Sequence, residues 1–414
     1  MKDFLKVVPL EDAQTKLADH WHPKRQTTII SLEEASGRIL AEDVTSKINL
    51  PPFDRAAVDG YALQASDTFG VDETNSAKLS RIGEIHAGKQ PEIKVGSGTC
   101  VAIATGAVMP EGADAVVMVE DASEVNGTIE IRRAVSPGEN VSEKGSEIAE
   151  EESIALAGQK ISPQVHGALH AAGVQEVKAF EKPKVAVISS GEELVEFGKE
   201  LQLGQIYDIN GPTICDSVRA CGGEPTHLGI VSDDALEIKK RVRKALSKHD
   251  IIITSGGSSA GSKDILPETI NELGEPGVIV HGLAQKPGKP TLIAIIKDKP
   301  IFGLPGYPVS ALMVFNQLVA PYLRELSGIP EPELGSVQAS LTKKIISARG
   351  RRELVPVKLI QGEEGTLARP LRRDSGAITS LANASGYIDV PLSQEILEEG
   401  EIVTVKLYEG SELA

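Results

Sequence analysis

The chain is poor in cysteine, with only Cys100, Cys215 and Cys221 among its 414 residues. These three thiols form no C-x-x-C pair and no evident disulfide framework, so we expect a reducing compartment, buried thiols and no thiolate metal site. No apolar core of signal-peptide length follows Met1, and no segment approaches the length of a membrane span. These absences predict a cytoplasmic protein with no membrane partner.

Positive charge is also in short supply. Lys and Arg total 43 against 59 for Asp and Glu, which gives a formal net charge of −16. This balance argues against general binding to nucleic acid or to anionic membranes. Any anionic ligand must therefore be held by a local basic cluster. The length of the chain exceeds one ordinary core, so we expect several domains.

The common nucleotide-binding motifs are missing from the one glycine-rich loop that follows an apolar strand, Ile251–Thr254. No Gly-Lys-Ser/Thr closes that loop, and it does not read G-x-G-x-x-G. Its glycines still allow positive φ and close approach of backbone N–H groups to an anion at a helix start. A tight strand-to-helix connection without a ligand fits equally well. The candidate cradle and the N-cap position after it are Ser255, Gly256, Gly257, Ser258 and Asp264.

Composition and periodicity divide the chain into domains. An amphipathic helix through Leu10 and Leu17 is followed by a Ser31/Glu34 capping box, which predicts a second short helix through Leu40. Short strand-like runs then indicate an all-β insert, and a proline-rich stretch precedes a small β barrel or sandwich. We expect a split N-terminal domain of residues 1–45 and 146–180, a β-rich insert of 46–145, an α/β domain of 181–329 and a C-terminal domain of 330–414.

Strands alternate with helices between Val185 and Thr254, which predicts a parallel sheet with right-handed crossovers. Ligands of such sheets bind beyond the carboxyl ends of the strands, and the loops there are polar. Carboxylates beside a phosphate cradle would repel the ligand unless a hard cation such as Mg²⁺ lies between them. Glu193 and Asp264 are the better metal candidates, because Asp233 or Asp234 is more simply explained as a helix N-cap.

Two further stretches predict an anion site. Lys286-Pro287-Gly288-Lys289-Pro290 places two ammonium groups on a stiff loop, although a solvated surface loop is the simpler alternative. Pro305-Gly306-Tyr307-Pro308 leads into a helix with Pro308 at its first position and Ser310 in its first turn. Both stretches present donors that suit one small anion.

The segment from Pro51 to Ala62 is dense in rigid and charged residues and contains Asp54 and Asp59. Aspartate before glycine usually caps a turn, and the residues alone do not choose between a capping and a catalytic role.

These motifs, in this order, resemble the MoeA/gephyrin family of molybdopterin molybdenumtransferases. The resemblance is carried along the whole chain by Pro51-Pro52-Phe53-Asp54 with Asp59-Gly60-Tyr61-Ala62, Thr105-Gly106-Ala107, residues 189–194, Ser255-Gly256-Gly257, residues 286–290 and residues 304–310. It implies a multidomain α/β plus all-β protein, with a MogA/MoaB-like three-layer α/β domain, a split N-terminal domain, a β insert and a C-terminal β barrel.

The resemblance also implies the chemistry: Mg²⁺-dependent cleavage of adenylylated molybdopterin with insertion of molybdate at the dithiolene and release of AMP. The matching catalytic positions are Asp59, Thr105, Glu147, Glu193 and Asp264, with Glu193 and Asp264 on the Mg²⁺ side. The pterin and phosphate positions are Ser255, Gly256, Gly257, Ser258, Pro305 and Pro308. The oxyanion positions are Lys286, Lys289, Ser310, Ser375 and Arg351, with Arg352 as the alternative to Arg351.

Family members resemble homodimers in which the segment that bears Asp59 serves the partner's pterin site. The resemblance makes a molybdopterin adenylyltransferase and the recipient molybdoenzymes the candidate protein partners. A molybdopterin adenylyltransferase-like enzyme and a gephyrin-like scaffold are the alternatives in other functional classes.

The chain departs from the family pattern at two places. Tyr307 stands where the commoner motif has Asn, and the glycine loop carries Ser-Ser-Ala-Gly-Ser-Lys instead of a form that contains valine. A bulky phenol beside the oxyanion site leaves open a tungstate-handling paralogue.

Overall fold

The protein is described by a computed structural model that covers residues 6–256, 265–347, 349–363, 365–371 and 376–408. Its contacts divide the chain into two units, one of Met1–Thr28 with Phe180–Ala414 and the other of Ile29–Ala179. Within the described ranges, no helix is both long enough and apolar enough to cross a bilayer. The finer domain boundaries expected above stay predictions.

The first helix, α1 (Leu10–His20), buries Leu10, Ala13 and Leu17, as the periodicity predicts. The second predicted helix is absent. Only a 3₁₀ turn, Leu32–Glu34, follows Ser31, whose side chain caps nothing. The backbone beyond it is held by bridges at Ile39 and Leu40 to other segments, so the backbone groups that a helix would use are already engaged.

The unit of residues 29–179 is built mainly of strands. Its elements are β1 (Thr27–Ser31), β2 (Val44–Thr45), β3 (Arg55–Ala56), β4 (Gly60–Leu63), β5 (Ala77–Ile85), β6 (Thr99–Ile103), β7 (Ala115–Met118), β8 (Ala122–Val125), β9 (Thr128–Ile131), β10 (Val141–Ser142), β11 (Ser153–Ala155), α2 (Pro163–Ala171) and β12 (Glu176–Phe180), with 3₁₀ turns at Ala65–Thr68 and Val119–Asp121.

The largest sheet of this unit has the strand order β7-β4-β6-β5-β9-β8. Neighbouring residues of β6 point to opposite faces of this sheet. Cys100 therefore packs in one apolar cluster and Val101 in another. Helix α2 starts at a clear cap, because Ser162 accepts a hydrogen bond from the backbone N–H of Val165 and a proline lies in the first turn. The β insert is thus present.

The α/β domain follows. Its elements are β13 (Lys184–Ser190), β14 (Leu194–Val195), β15 (Ile206–Tyr207), α3 (Asn210–Ala220), β16 (Glu224–Val231), α4 (Ala235–Leu246), β17 (Ile251–Ser255), α5 (Leu266–Asn271), β18 (Pro276–His281), β19 (Gln285–Lys286), β20 (Leu292–Ile296), β21 (Lys299–Leu304), α6 (Pro308–Val314), a π-helical turn (Phe315–Val319) and α7 (Ala320–Ser327).

Six of these strands form a sheet in the order β16-β13-β17-β21-β20-β18. Ile251 and Ile253 pack into a cluster on one face while Ile252 packs into a cluster on the other, so helices cover both faces in three layers. The predicted parallel sheet is confirmed for β13, β16 and β17, which all run in the same direction. Beyond them β21 is parallel to β17, whereas β20 runs antiparallel to both of its neighbours, β21 and β18. The cause is a two-residue hairpin at Lys297 and Asp298, whose positive φ values of 52° and 61° suit a type I′ turn.

The C-terminal elements are β22 (Ser336–Leu341), β23 (Ile345–Ile346), β24 (Arg352–Gly362), β25 (Gly365–Pro370), α8 (Ile378–Ala382), β26 (Gly386–Val390), β27 (Ile396–Leu397) and β28 (Ile402–Leu407). Strands β24-β25-β22-β28-β26 form a ring that the β24–β26 pairing closes, so this region is a five-stranded barrel and not a sandwich. Strand β19 of the α/β domain pairs in parallel with the start of β24, Gln285 with Arg352 and Lys286 with Glu353.

Candidate active site

A cleft with a volume of about 1120 Å³ lies at the carboxyl ends of β13, β17 and β21. Loops after neighbouring parallel strands meet at such an edge, which is the usual ligand position in an open α/β sheet. The lining residues come from the segments 190–194, 201–210, 255–256, 285–290 and 305–310, together with Asp233, Arg351 and Gly376.

The floor of the cleft depends on Gly256. Its φ is +94°, and an added Cβ would lie 2.0 Å from the carbonyl oxygen of Ser190, so only glycine lets these two loops approach. Ser255 is buried and its Oγ donates to the carbonyl of Pro305 at 3.3 Å. The structure brings Ser255, Gly256, Pro305 and Pro308 to the cleft. The predicted cradle residues Gly257 and Ser258 lie outside the described residues.

The predicted oxyanion residues Lys286, Lys289, Ser310 and Arg351 line the same cleft. Ser375 lies outside the described residues. The two arginine alternatives separate clearly, because Arg352 donates to both carboxylate oxygens of the barrel residue Asp389, at 2.7 and 2.6 Å.

That hydrogen-bonded pair with Asp389 raises the pKa of Arg352 above its ordinary value. The side chain is committed to the barrel wall, so the geometry favours Arg351 at the cleft.

Lys286 and Lys289 differ in their surroundings. Lys286 Nζ lies 3.1 Å from Oε1 of Glu353, a carboxylate that is only 2% exposed. Lys289 forms no ion pair with any residue that the structure describes. One ammonium group is therefore anchored to the barrel, and the other is available to a bound anion.

Carboxylate side chains also line the cleft. Glu193 is exposed and lines the cleft, folded so close over Gly191 that an added Cβ there would lie 2.7 Å from its Oε2. Asp233 also lines the cleft and accepts a hydrogen bond from Ser190 Oγ at 2.6 Å. Asp234 is the N-cap of α4 and accepts from the backbone N–H of Glu237 at 2.9 Å.

These carboxylates do not form a complete metal centre among the described residues. No group of three His, Cys, Asp or Glu side chains there is arranged to hold a metal ion. Asp264, the second predicted Mg²⁺ ligand, lies outside the described residues. Glu193 and Asp233 present the hard oxygen donors that Mg²⁺ prefers.

Two residues that were not predicted from the sequence also line the cleft: Asp208, which directly follows β15, and Asn210, which is the first residue of α3. Burial alone would raise the pKa of Asp208, but hydrogen bonds from His227, Gly211 and Ser189 lower it below its ordinary value. The Asp-x-Asn run at the start of α3 is the sequence signal that could have identified these two residues.

The remaining predicted catalytic residues belong to the unit of residues 29–179. Asp59 Oδ1 accepts from the backbone N–H of Thr105 at 2.7 Å and from its Oγ1 at 2.8 Å. The backbone bond, then the hydroxyl bond, lowers the pKa of Asp59. Asp54 instead accepts from the backbone N–H of Lys144 at 2.7 Å, so its carboxylate joins two segments of this unit that lie 90 residues apart along the chain. Glu147 is exposed on this unit.

Comparison with known families agrees with this architecture. The profile of the MoeA N-terminal region (domain I and II) matches residues 8–173, that of the "Probable molybdopterin binding domain" matches 186–325, and that of the MoeA C-terminal region (domain IV) matches 338–408. The fold, the cleft and these matches therefore define a multidomain protein built around an α/β domain of the "Probable molybdopterin binding domain" family.

Individual relatives narrow the class. A molybdopterin molybdenumtransferase of Bacillus subtilis is 32% identical over 405 residues, 97% of this chain and 94% of the relative. The Haemophilus influenzae enzyme of that name is 37% identical over 323 residues, 78% of each chain. A crystal structure of a molybdopterin biosynthesis MoeA protein from Pyrococcus horikosii is 43% identical, with a TM-score of 0.81, over 98% of this chain and 100% of that chain. The chain belongs to the MoeA family.

Proposed function

We propose that the chain is a molybdopterin molybdenumtransferase of molybdenum cofactor biosynthesis, which inserts molybdate into adenylylated molybdopterin in a Mg²⁺-dependent reaction that releases AMP. One observation carries this proposal: a single cleft combines a glycine-bearing cradle, three cationic side chains and three carboxylates, those of Glu193, Asp208 and Asp233. Each of these groups suits a different part of the proposed reaction.

The cations suit the oxyanion. The chain carries a formal net charge of −16, so a tetrahedral dianion can be held only where cations are concentrated. Lys286, Lys289 and Arg351 supply that concentration, and Ser310 lies buried in the first turn of α6 beside them. Charge-assisted hydrogen bonds from such groups bind oxyanions more strongly than neutral donors do.

The cradle suits the pterin phosphate. Ser255 and Gly256 end a parallel strand, and the close approach at Gly256 keeps the backbone accessible to a ligand. The Pro305 to Pro308 loop forms the neighbouring wall and leads into a helix start.

Glu193, together with Asp233 and the predicted Asp264, would hold Mg²⁺. Bound Mg²⁺ would neutralise charge on the phosphate groups as the bond to AMP breaks. The protein's own contribution is to bring Glu193 and Asp233 into the same cleft as the lysines, so that the cation and the anionic substrates can be held together.

The test is AMP release from adenylylated molybdopterin, with and without molybdate and Mg²⁺. Glu193→Gln and Asp264→Asn should keep the circular dichroism of the wild type and lose Mg²⁺-dependent turnover, because neutral amides are poorer ligands for a hard cation. Glu192→Gln is the matched control, since Glu192 is exposed and does not line the cleft. Unchanged AMP release at limiting Mg²⁺ in both test variants would refute the metal assignment.

We also propose a homodimer in which the Asp59 segment serves the partner's cleft, a proposal that rests on the family resemblance. Asp59→Ala and Lys289→Ala should each be inactive, while a mixture of the two should recover activity from one working site per mixed dimer. Absence of recovery after proven subunit exchange would contradict a shared site. The cytoplasmic location and the candidate protein partners named above remain part of the same proposal.

A further inference from the structure

We propose that Asn210 is a positioning residue that fixes the spacing between the two loops of the substrate cradle. The identity of the ligand rests on the proposed function, whereas the role of Asn210 rests on its own contacts.

The amide of Asn210 joins segments that are distant in sequence. Its Nδ2 donates to Ser255 Oγ at 2.8 Å and to the carbonyl oxygen of Gly306 at 2.7 Å. Ser255 ends β17 and Gly306 follows β21, and these strands are neighbours in the sheet. Ser255 Oγ in turn donates a hydrogen bond to the carbonyl oxygen of Pro305. One amide thus ties together the two loops that form the floor and wall of the cleft.

The orientation of the amide is determined. A carbonyl oxygen only accepts hydrogen bonds, so the atom that faces Gly306 must be the nitrogen. Both Nδ2 hydrogens are used, and on this residue, which is 8% exposed, Oδ1 is buried and accepts no hydrogen bond from any residue that the structure describes. The amide therefore acts toward the two loops only as a donor, and both of its donated hydrogen bonds go to cradle residues.

Asn210 is itself held in place. Asp208 accepts from the backbone N–H of Gly211 at 3.0 Å and from Ser189 Oγ at 2.6 Å, which fixes the start of α3 against the end of β13. The loops after β13, β17 and β21 are therefore linked through the Asp208–Gly211 turn. The Asp208–Gly211 turn therefore fixes the positions of both loops of the cradle relative to β13.

The two substrates should respond differently to loss of this linkage. The pterin nucleotide would contact the loops that Asn210 joins. Molybdate would contact Lys289 and Arg351, to which Asn210 makes no hydrogen bond. Loosening the cradle should therefore weaken pterin nucleotide binding selectively, which a general loss of stability would not do.

The experiment compares Asn210→Ala and Asn210→Asp with wild type in steady-state AMP release. Two lost hydrogen bonds at about 1 kcal/mol each predict a rise of roughly tenfold or more in the KM for adenylylated molybdopterin. The KM for molybdate should stay within about twofold. An equal rise in both KM values, or no rise in either, would overturn the inference.

Protonation gives an independent readout. In Asn210→Asp the ionised carboxylate faces the Gly306 carbonyl and cannot donate, whereas the protonated acid can donate one hydrogen bond. The KM ratio between this variant and wild type should therefore fall as the pH is lowered. Asn140→Asp is the control, because Asn140 Nδ2 also donates to a backbone carbonyl, that of Val116, in the other unit. That control should change thermal stability without a pH-dependent KM ratio.

Binding of AMP by calorimetry separates this inference from the proposed function. If the wild type binds AMP but does not turn over adenylylated molybdopterin, the proposed reaction is wrong. If Asn210→Ala then binds AMP more weakly than that wild type does, the inference about Asn210 still holds. Equal AMP binding by the two proteins would overturn the inference. A wild type that binds neither AMP nor adenylylated molybdopterin would overturn both.

Discussion

Lys286 and Glu353 form the link between the oxyanion loop and the barrel, and a double-mutant cycle measures its strength. The variants are Lys286→Ala, Glu353→Gln and the combination of the two. The ion pair is intermediate in burial, since the lysine side chain is 43% exposed and the carboxylate 3% exposed. Exposed pairs contribute about 0 to 1 kcal/mol and breaking a buried pair costs about 3 to 5 kcal/mol, so we expect a coupling of about 1 to 3 kcal/mol.

The assay is urea denaturation of the four proteins, which gives the free energy of unfolding of each. Lys286→Ala alone should be the least stable variant, because it leaves a buried carboxylate without this cation. Adding Glu353→Gln should restore part of the stability. A coupling energy within about 0.5 kcal/mol of zero would refute an energetic link between the loop and the barrel.

Lys289 supplies the matched control on the same loop. Because it forms no ion pair with a described residue, the Lys289→Ala and Glu353→Gln effects on stability should add within about 0.5 kcal/mol. Both lysine variants should still weaken molybdate binding by roughly tenfold to a hundredfold, as expected for loss of one charge-assisted hydrogen bond. The cycle therefore separates the anchoring role of Lys286 from the anion-binding role that both lysines share.

Three other predictions test single residues. The hydrogen bonds from Thr105 lower the pKa of Asp59 below its usual 3.8. The ionised carboxylate therefore stabilises the fold above pH 3.8, and this contribution disappears as the pH falls through the folded pKa. The difference in stability between wild type and Asp59→Asn should close on acidification, and a constant difference would contradict this. Asp234→Ala should lose about 1 kcal/mol of stability with normal AMP release, whereas Asp233→Ala should lose activity with little change in stability. The reverse pattern in denaturation and turnover would be incompatible with Asp234 as the helix cap and Asp233 as the residue that serves the cleft. Tyr307→Asn should shift the preference between molybdate and tungstate in competition calorimetry, and an identical preference would place the phenol, which is 64% exposed, outside the oxyanion contacts.

Local signals predicted most of the secondary structure. The alternation of strands and helices after Val185 was readable because local signals agree there. In helix α4, Ala235–Leu246, an Asp cap and an amphipathic period mark the same residues. The Ser31 capping box failed because pairing with other segments competes for the backbone at Ile39 and Leu40.

The site was predictable only where its chemistry is concentrated in one stretch. The lysine loop and the glycine loop can be recognised from their composition. Asn210 does not, because its partners Ser255 and Gly306 lie 45 and 96 residues away along the chain. The antiparallel edge was missed for a related reason, since the Lys297-Asp298 hairpin lacks the Asn-Gly or Asp-Gly pair that usually marks a type I′ turn.

The short strand β19 belongs by connectivity to the α/β domain and by hydrogen bonding to the barrel. Its two residues end at Lys286, and the strand it joins begins at Arg352, next to Arg351. The two halves of the cationic site are thus carried by different domains and brought to the same register by one ladder. A shift in the register of this ladder would move Arg351 relative to the two lysines, so main-chain hydrogen bonds, and not the side chains themselves, set the spacing of the cations.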